Sequence, residues 1–373
     1  MKNFNRFLVP FLFLVILSPI ACKKTSTADP NQPYLDQLKT VTNSIIQNTT
    51  VPGIVALVVD HQRGIDWMYT AGVSDKDTQA PMDSSFTFRI ASNTKTFTGT
   101  VLLQLVDEGK LALYDKLSKY FPEFPKSDSI TVAMLLNMTS GIFDYFYDEQ
   151  FLSSYFTDPL KVYSPQELAA IGFTNPFSFS PGAGWAYSNT NYVILGMIIE
   201  KITGNTAVEE INNRILLPMQ LTHTGYLNTG TDFPGPHAHG YYFPDVNDYG
   251  DMTAPYDISR AGAAGSMYST PREMQKYVER LVGGGLLSDT LQNRRLNEMQ
   301  YVGGLFGNYG LGLLKNGSFY GHGGTLWGFT SVIFHSNEKN CTIVIYFNCD
   351  LETTIHPLNL FLLYANILYG KNF

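Results

Sequence analysis

Runs of β-branched residues at the two ends of the chain are the feature that most constrains its fold. Ile54–Val59 is a β-branched run near the N-terminus, and Ile65–Ala71 is a second strand candidate after the turn sequence Arg63-Gly64. Thr330–His335 and Thr342–Asn348 form two more near the C-terminus. Apolar runs of this length bounded by turn residues are typical of strands. The sequence therefore predicts one antiparallel sheet built from both ends of the chain.

Helical patterns occupy the middle of the chain and flank the predicted strands. Apolar residues recur at helical spacing over Tyr34–Asn48, and Thr190–Thr203 is an apolar segment closed by Gly204, which is typical of a helix with a glycine C-cap. Ser164–Glu167 and Thr270–Glu273 match the capping-box pattern, so each predicts the start of a further helix.

These elements predict an α+β fold with two lobes. Leu358–Tyr369 is a closing helix that would cover the sheet together with the first helix. Tyr309–Leu314 is a further strand candidate, which leads into the hairpin turn Asn316-Gly317. A central, mostly helical lobe at about residues 116–254 would lie beside the sheet. A cleft between two such lobes is where a functional site is expected.

The first residues match the pattern of an export signal. Two basic residues precede the apolar stretch Phe7–Ile20, which is too short to span a bilayer comfortably. Ala21 followed by Cys22 resembles a bacterial lipoprotein processing site, although Pro19 stands where such sites usually carry Leu. An ordinary signal peptide with a different cleavage site is the alternative interpretation.

Three segments follow from this pattern: a signal peptide at 1–21, a polar tether at 22–33 and a folded domain at 34–373. Lipidation of Cys22 would anchor an exported protein to a membrane of the periplasm or outer envelope. A membrane contact through this anchor is therefore expected.

Charge, cysteines and histidines argue against several other classes of protein. The net charge is −7 without a long run of Lys or Arg, so nucleic acid is not an expected partner. Cys341 and Cys349 lie in one apparent strand about 26 Å apart, too far for a disulfide. His237 and His239 lie in a Pro/Gly-rich loop without a ligand cluster, so no metal or other cofactor is predicted.

Ser92 and Lys95 are the first candidate catalytic pair. They stand three residues apart at the start of an apolar helical segment, Thr96–Glu108, and therefore project from one helix face. A serine hydroxyl needs a neighbouring base to become a nucleophile, and a lysine serves as that base when burial lowers its pKa. Ser336 and Lys339 share the spacing, but they lie in a polar turn between two strands.

A Tyr-x-Asn sequence is the second candidate element. Only one of its four occurrences, Tyr187-Ser188-Asn189, follows a Pro/Gly-rich loop and enters an apolar helix. The other three lie in an apparent loop, strand and helix, where packing explains them; they begin at Tyr226, Tyr346 and Tyr364.

The third element is the glycine-rich stretch Gly321–Phe329, which contains His322-Gly323-Gly324-Thr325. Glycines in a strand allow a substrate to approach the backbone, whose N–H groups can then stabilise an oxyanion. Lys315-Asn316-Gly317 is a competing Lys-x-Gly sequence, but it is better explained as a hairpin turn.

The three motifs in this order resemble those of the superfamily that contains class C β-lactamases, D-alanyl-D-alanine carboxypeptidases and related esterases. The similarity extends from about Val51 to Asn348. It includes the segments Leu135–Gly141, Pro181–Gly204, Leu217–Met219 and Ala264–Met274.

The resemblance implies a role for each matching residue. Ser92 would be acylated, Lys95 and Tyr187 would share proton transfer, and Asn189 would hydrogen-bond the substrate amide. Either Lys95 or Tyr187 could be the base in acylation. The expected protein is an exported serine hydrolase that acts on D-amino-acid peptides, β-lactams or small esters.

The third motif would line the opposite wall of the site. The resemblance implies that His322, Gly323, Gly324 and Thr325 bind substrate, and that the backbone N–H groups of Ser92 and Thr325 form the oxyanion hole. Dedicated class C β-lactamases usually carry Lys-Thr-Gly here, so His322 exchanges a fixed charge for a group that ordinarily titrates near neutrality. His-x-Gly is more similar to the peptidase, D-aminopeptidase and esterase branches.

The same residues are also compatible with a protein that binds ligands without catalysis. A protein with the altered third motif could bind penicillin or peptidoglycan fragments in the envelope without turning them over.

Overall fold

The structure is a computed structural model, and it describes residues 29–232, 234–245, 248–351, 356–371 and 373. The predicted signal peptide and Cys22 lie outside the described residues, as does most of the tether. Among the helices that the structure describes, none is both long enough and apolar enough to cross a membrane.

The described residues form helices and strands in the following order along the chain. The helices are α1 Gln32–Asn48, α2 Thr94–Asp107, α3 Val132–Leu136, α4 Glu149–Thr157, α5 Pro165–Thr174, α6 Asn189–Thr203, α7 Ala207–Ile211, α8 Leu217–Met219, α9 Gly262–Gly265, α10 Pro271–Gly283, α11 Asp289–Asn297 and α12 Pro357–Tyr369. The strands are β1 Gly53–Asp60, β2 Ile65–Gly72, β3 Phe88–Arg89, β4 Gly225–Tyr226, β5 Tyr241–Asp245, β6 Asp248–Asp251, β7 Met267–Ser269, β8 Gln300–Gly303, β9 Gly307–Tyr309, β10 Leu314–Asn316, β11 Phe319–Leu326, β12 Phe329–Ser336, β13 Cys341–Phe347 and β14 Cys349–Leu351.

The main sheet joins the two ends of the chain, as the sequence predicts. Its strand order is β2-β1-β13-β12-β11-β10-β9-β8. β1 pairs antiparallel with β13, with Ile54 opposite Phe347, and antiparallel pairing extends through β12 and β11. Only the contact between β9 and β10 is parallel. The predicted α+β fold is therefore confirmed.

Helices cover both faces of this sheet. α1 and α12 pack against each other and against the sheet, whereas α10 packs on β1, β12 and β13. Every position of these three strands is buried. This explains why β1 and β13 are mainly continuous apolar runs instead of alternating patterns, since a strand covered on both sides has no face for water.

The segment predicted as a mostly helical lobe contains α3 to α8 and also three short strands. β4 joins β3 and β7 in one small sheet, and β5 and β6 join β14 in another. The capping box predicted at Ser164 is present, because the Ser164 and Glu167 side chains each bond the other residue's backbone N–H. Such a cap stabilises a helix by about 1 kcal/mol.

The second predicted capping box is only half formed. Thr270 caps α10 by accepting from the Glu273 N–H. The Glu273 carboxylate instead accepts from the His223 N–H at 2.9 Å and from the Thr224 hydroxyl at 2.5 Å. A tertiary contact has therefore replaced the local one.

Two strand predictions were wrong in detail. Tyr309–Leu314 is not one strand, because β9 ends at Tyr309 and β10 begins at Leu314. Cys341 and Cys349 do not share a strand either: β13 ends at Phe347, and Cys349 begins β14 beside β5. Both thiols are nevertheless free and buried.

The turn that carries Ser92 packs directly against β11. β10 pairs only with Phe319–Gly321, so the following part of β11 is open to the turn at Ala91–Asn93. A Cβ atom on Gly324 would lie 2.2 Å from the Ile90 carbonyl oxygen. Only glycine therefore allows this close approach.

We predict that Gly324→Ala lowers the free energy of unfolding by about 2 kcal/mol, because the new methyl group must displace the Ser92 turn. Gly323→Ala is the matched control, since the nearest atoms to its added Cβ lie at 3.6 Å, an ordinary contact distance. Urea denaturation followed by circular dichroism measures both changes. Equal stability of the two variants would contradict the assigned approach.

Candidate active site

A 3-10 turn at Ala91–Asn93 presents Ser92 at the start of α2. Ala91 has φ +48°, a conformation that costs a non-glycine residue about 1–2 kcal/mol. The surrounding contacts hold it there. The Asn93 amide donates to the Ile90 carbonyl at 2.9 Å and to the Ser331 hydroxyl at 2.8 Å, which attaches the turn to β12.

Lys95 lies fully buried one turn below Ser92. Its Nζ atom is 2.9 Å from Ser92 Oγ, 2.7 Å from Asn189 Oδ1 and 2.9 Å from the Ala264 carbonyl oxygen. The carbonyl can only accept a hydrogen bond. Each of the three N–H positions of the side chain therefore faces a fixed partner.

Asp144 holds Asn189 from the opposite side. Asn189 Nδ2 donates to both carboxylate oxygens of Asp144, at 3.2 and 2.9 Å. A carboxylate only accepts hydrogen bonds, so the amide must turn its Nδ2 toward Asp144 and its Oδ1 toward Lys95. A continuous chain of hydrogen bonds thus runs from Asp144 through Asn189 and Lys95 to Ser92.

Burial changes the pKa values of the two ionisable groups in this hydrogen-bond chain, Lys95 and Asp144. Desolvation lowers the pKa of Lys95 to about 7, and the nearby Asp144 carboxylate opposes that fall. Desolvation raises the pKa of Asp144 to about 6, although its hydrogen bonds and the charge of Lys95 act in the other direction. Neutral Lys95 is therefore accessible near physiological pH, as a general base requires.

Tyr187 lies beside the same lysine. The Lys95 Nζ atom is 4.9 Å from the centroid of the Tyr187 ring, and the ring stacks on Phe306 with centroids 6.1 Å apart. Desolvation raises the pKa of Tyr187 well above its ordinary value, which a hydrogen bond with the Ser92 side chain lowers only in part. The phenol is therefore neutral and retains its proton.

His322 lies against the other side of Tyr187, with ring centroids 6.4 Å apart. Its Nδ1 faces the Gly323 carbonyl oxygen, and its Nε2 lies 3.3 Å from the Tyr309 hydroxyl. A carbonyl can only accept, so Nδ1 carries the proton and Nε2 accepts from Tyr309. Both nitrogens are occupied.

The expectation that His322 titrates near neutrality was wrong. Desolvation, reinforced by the positive charge of Lys95, lowers the pKa of His322 to about 3. The ring is only 1% exposed. His322 therefore offers the site neither a positive charge nor a free N–H group.

The remaining residues of the third motif lie along the same strand. Gly323 and Thr325 line the cavity above Ser92, and Gly324 lies under it against Ile90. Thr325 Oγ1 lies 3.1 Å from Nε2 of His356, the N-cap residue of α12. The oxyanion hole at the Ser92 and Thr325 N–H groups remains a prediction.

A cavity of about 550 Å³ connects these residues. Among the described residues that line it, Asp144 is the only carboxylate and none is Lys or Arg. Large apolar side chains form much of its wall; they are Phe146, Tyr147, Leu152, Phe306, Leu314, Leu326, Trp327 and Leu358. Tyr147 is 73% exposed, and Phe306 is 42% exposed. The cavity thus has an aromatic rim.

The competing motifs lie elsewhere. Ser336 ends β12 and Lys339 follows in the turn before β13, while the Tyr-x-Asn sequences at Tyr226, Tyr346 and Tyr364 lie in β4, β13 and α12. His239 contacts Asp251 at 2.7 Å. Within the described ranges, no group of three or more His, Cys, Asp or Glu residues could hold a metal ion.

Two residues of this site were missed by sequence reasoning, Asp144 and His356. Asp144 has one visible signal: a lone carboxylate in the aromatic sequence Phe143-Asp144-Tyr145-Phe146, where a buried charge needs a partner. His356 has no comparable signal, because only the fold brings it to β11.

The fold and the site together define a class of protein. A serine at a helix start, a lysine one turn deeper, a neutral tyrosine and a glycine-rich strand edge form the arrangement of the β-lactamase-like serine hydrolases. The β-lactamase family model matches residues 39–362, and the chain belongs to this family.

Solved structures of similar proteins include a D-stereospecific amidohydrolase and a D-amino acid amidase. A D-stereospecific amidohydrolase from Streptomyces sp. has a TM-score of 0.77 and 32% identity, with 84% of this chain and 94% of that chain covered. D-amino acid amidase from Ochrobactrum anthropi SV3, complexed with L-phenylalanine amide, has a TM-score of 0.78 and 27% identity, with 91% and 98% covered.

A search by sequence gives similar proteins of greater length. PbpX of Bacillus subtilis (strain 168) is 29% identical over 290 residues, which cover 77% of this chain and 68% of that protein. Protein flp of Staphylococcus aureus (strain COL) is 28% identical over 327 residues, which cover 85% of this chain but only 63% of flp. The resemblance to the β-lactamase-like superfamily is therefore confirmed.

We predict that Asp144→Asn shifts the acid limb of the kcat/KM pH profile to lower pH by about one unit. The Asp144 carboxylate favours the ammonium form of Lys95, so removing its charge lowers the Lys95 pKa further and extends activity toward acid. The amide oxygen introduced by this substitution can still accept from Asn189, which preserves the geometry. Tyr187 and His322 are neutral in this range, as argued above, so they do not obscure the shift.

Asp144→Ala is the comparison variant for this measurement. It also removes the acceptor of the Asn189 amide, and we expect the plateau of kcat/KM to fall by about tenfold or more. An acid limb that stays in place in Asp144→Asn would show that Asp144 carries no charge felt by Lys95.

Proposed function

We propose that this protein is a serine hydrolase that forms an acyl-enzyme on Ser92 and cleaves amides or esters that lack a carboxylate, with D-aminoacyl amides as the favoured class. The observation that carries the proposal is the 2.9 Å contact between Lys95 Nζ and Ser92 Oγ, at a lysine whose two other partners are fixed.

Lys95 acts as the base in acylation. When Lys95 is neutral, its two N–H groups donate to Asn189 Oδ1 and to the Ala264 carbonyl, so its lone pair faces Ser92. The Ser92 hydroxyl proton then passes to Lys95 as Oγ attacks the substrate carbonyl carbon. Backbone N–H groups of Ser92 and Thr325 hold the developing oxyanion.

Tyr187 acts as the acid that releases the leaving group. Its neutral phenol donates its proton to the departing nitrogen or oxygen as the bond between that atom and the acyl carbon breaks, and the Lys95 ammonium returns a proton to the phenolate. Water then attacks the ester of Ser92 and regenerates the hydroxyl. The proton taken from Ser92 thus leaves on the amine or alcohol, and the attacking water supplies the proton that restores the Ser92 hydroxyl.

The cavity favours a substrate without a carboxylate. A carboxylate brought into an apolar cavity needs a cation or several donors, yet the described lining holds no Lys or Arg and His322 is neutral. The aromatic rim instead suits an apolar side chain. The structural neighbours named D-stereospecific amidohydrolase and D-amino acid amidase support this substrate class.

We predict that purified protein hydrolyses D-phenylalanine amide with a kcat/KM at least about tenfold above that for D-phenylalanyl-D-alanine, because only the second substrate carries a carboxylate into the cavity. Ammonia release and alanine release measure the two reactions. A short p-nitrophenyl ester and a cephalosporin complete the panel, and Ser92→Ala is the control for each substrate.

Three outcomes separate the alternatives. A preference for the free carboxylate would overturn the proposed substrate class. Turnover that persists in Ser92→Ala would remove Ser92 from the mechanism. Stoichiometric labelling of Ser92 by penicillin without product from any substrate would instead favour an envelope protein that binds without turnover. His322 in the third motif is the observation that suggests this alternative.

We also propose that the enzyme is exported and held to a membrane by a lipid on Cys22. The support comes from the sequence alone: basic residues, the apolar stretch Phe7–Ile20 and Ala21 before Cys22. The polar residues that follow would separate the catalytic domain from the bilayer.

We predict that cells expressing the full chain incorporate labelled palmitate into it and that Cys22→Ser abolishes the label. The substituted chain should then appear in the soluble fraction of the envelope, because the anchor is gone. Equal labelling of both proteins, or cytoplasmic retention of the original, would contradict the anchor.

A further inference from the structure

His356 is the N-cap residue of α12, and its side chain contacts both this helix and the active-site strand β11. Its Nδ1 accepts a hydrogen bond from the Leu358 N–H at 3.1 Å, which caps the helix. An N–H group can only donate, so Nδ1 must present its lone pair. In the neutral imidazole the single proton then lies on Nε2. The helix cap thus selects the tautomer.

That Nε2–H group points at the active site. It lies 3.1 Å from Thr325 Oγ1, and the other atom of the pair is a hydroxyl, so the imidazole donates and Thr325 accepts. A Cβ atom on Gly323 would meet His356 Cε1 at 3.6 Å. Residues 323 and 325 share one face of β11, and His356 lies on that face.

The consequence concerns the hydrogen of the Thr325 hydroxyl. One lone pair of Oγ1 is occupied by His356, so the hydroxyl hydrogen must rotate away from the imidazole. The hydrogen bonds of the described residues provide no acceptor for it. Thr325 is exposed and lines the cavity, so the hydrogen is available to an acceptor on a bound molecule.

We propose that His356 is a positioning residue that fixes the Thr325 hydroxyl as a hydrogen-bond donor to the substrate. This inference rests on the proposed function, because it names the donor that an amide or ester without a carboxylate meets on the third wall. The atom recognised is a carbonyl or ether oxygen near the bond that is cleaved. His322 cannot supply this donor, since its nitrogens are both occupied.

Desolvation supports the arrangement at working pH. It lowers the pKa of His356 to about 4, so the ring is neutral and keeps the lone pair on Nδ1. A protonated ring would lose the cap, because an imidazolium has no acceptor nitrogen.

The first test needs no catalysis. Nitrogen-15 NMR of histidine-labelled protein at pH 7 should show His356 as the neutral Nε2–H tautomer, with His356→Asn used to assign its signals. A proton on Nδ1 would overturn the inference whatever the enzyme does. This measurement also remains decisive if no substrate is turned over, an outcome that would refute the proposed function separately.

The second test separates positioning from helix capping. In His356→Asn the shorter side chain can still cap α12 but does not reach Thr325, so thermal stability should stay near that of the original protein. KM for D-phenylalanine amide should rise about tenfold, the equivalent of one lost hydrogen bond. His356→Ala should lose stability as well.

A double-mutant cycle identifies the partner. Thr325→Val should raise KM by a similar factor, and His356→Asn combined with Thr325→Val should be no worse than either change alone, because both remove the same donor. Thr325→Ser should keep the original KM. Additive effects, or an unchanged KM in His356→Asn with its stability intact, would show that the two residues act independently and overturn the proposal.

Discussion

The proposed mechanism requires Lys95 to give up its charge inside the protein, and the contacts around its Nζ atom favour that change. A buried ammonium without water is costly, and desolvation moves its pKa to about 7. The three fixed partners of Nζ then determine the direction in which the lone pair of the neutral amine points. Because the Ala264 carbonyl and Asn189 Oδ1 occupy two N–H groups, the lone pair has one direction left, toward Ser92.

The Asp144 carboxylate tunes this lysine without touching it. Asn189 stands between them, so the two charges are never in contact and no proton passes directly from one to the other. Direct contact would form a buried ion pair, which would stabilise the ammonium and suppress the base. The Asn189 amide fixes the position of the Lys95 amine, whereas the charge of Asp144 raises the Lys95 pKa only in part. This explains how a carboxylate can lie in the site while Lys95 still titrates near neutrality.

The sequence predicts those features whose residues lie close together along the chain. Ser92 and Lys95 are three residues apart on one helix, and strand runs such as Val55–Val59 are buried on both faces, so spacing and composition reveal them. Asp144 and His356 were missed because their partners lie 45 and 31 positions away. The same reason explains why the capping box at Glu273 was predicted wrongly. Its carboxylate accepts a hydrogen bond from His223, 50 positions away, instead of from the local N-cap residue.

The neutral third wall follows from the same electrostatics. A lysine in place of His322 would set a second cation near Lys95, and repulsion would make the ammonium form of both groups less favourable. That exchange would supply a site for a carboxylate but would remove the uncharged character of the cavity. His322 instead gives up its charge, since desolvation and Lys95 both lower its pKa, and its two nitrogens contact Gly323 and Tyr309. Under the proposed function, recognition on this wall depends on neutral donors and on shape, and the Thr325 hydroxyl is the donor that we propose there.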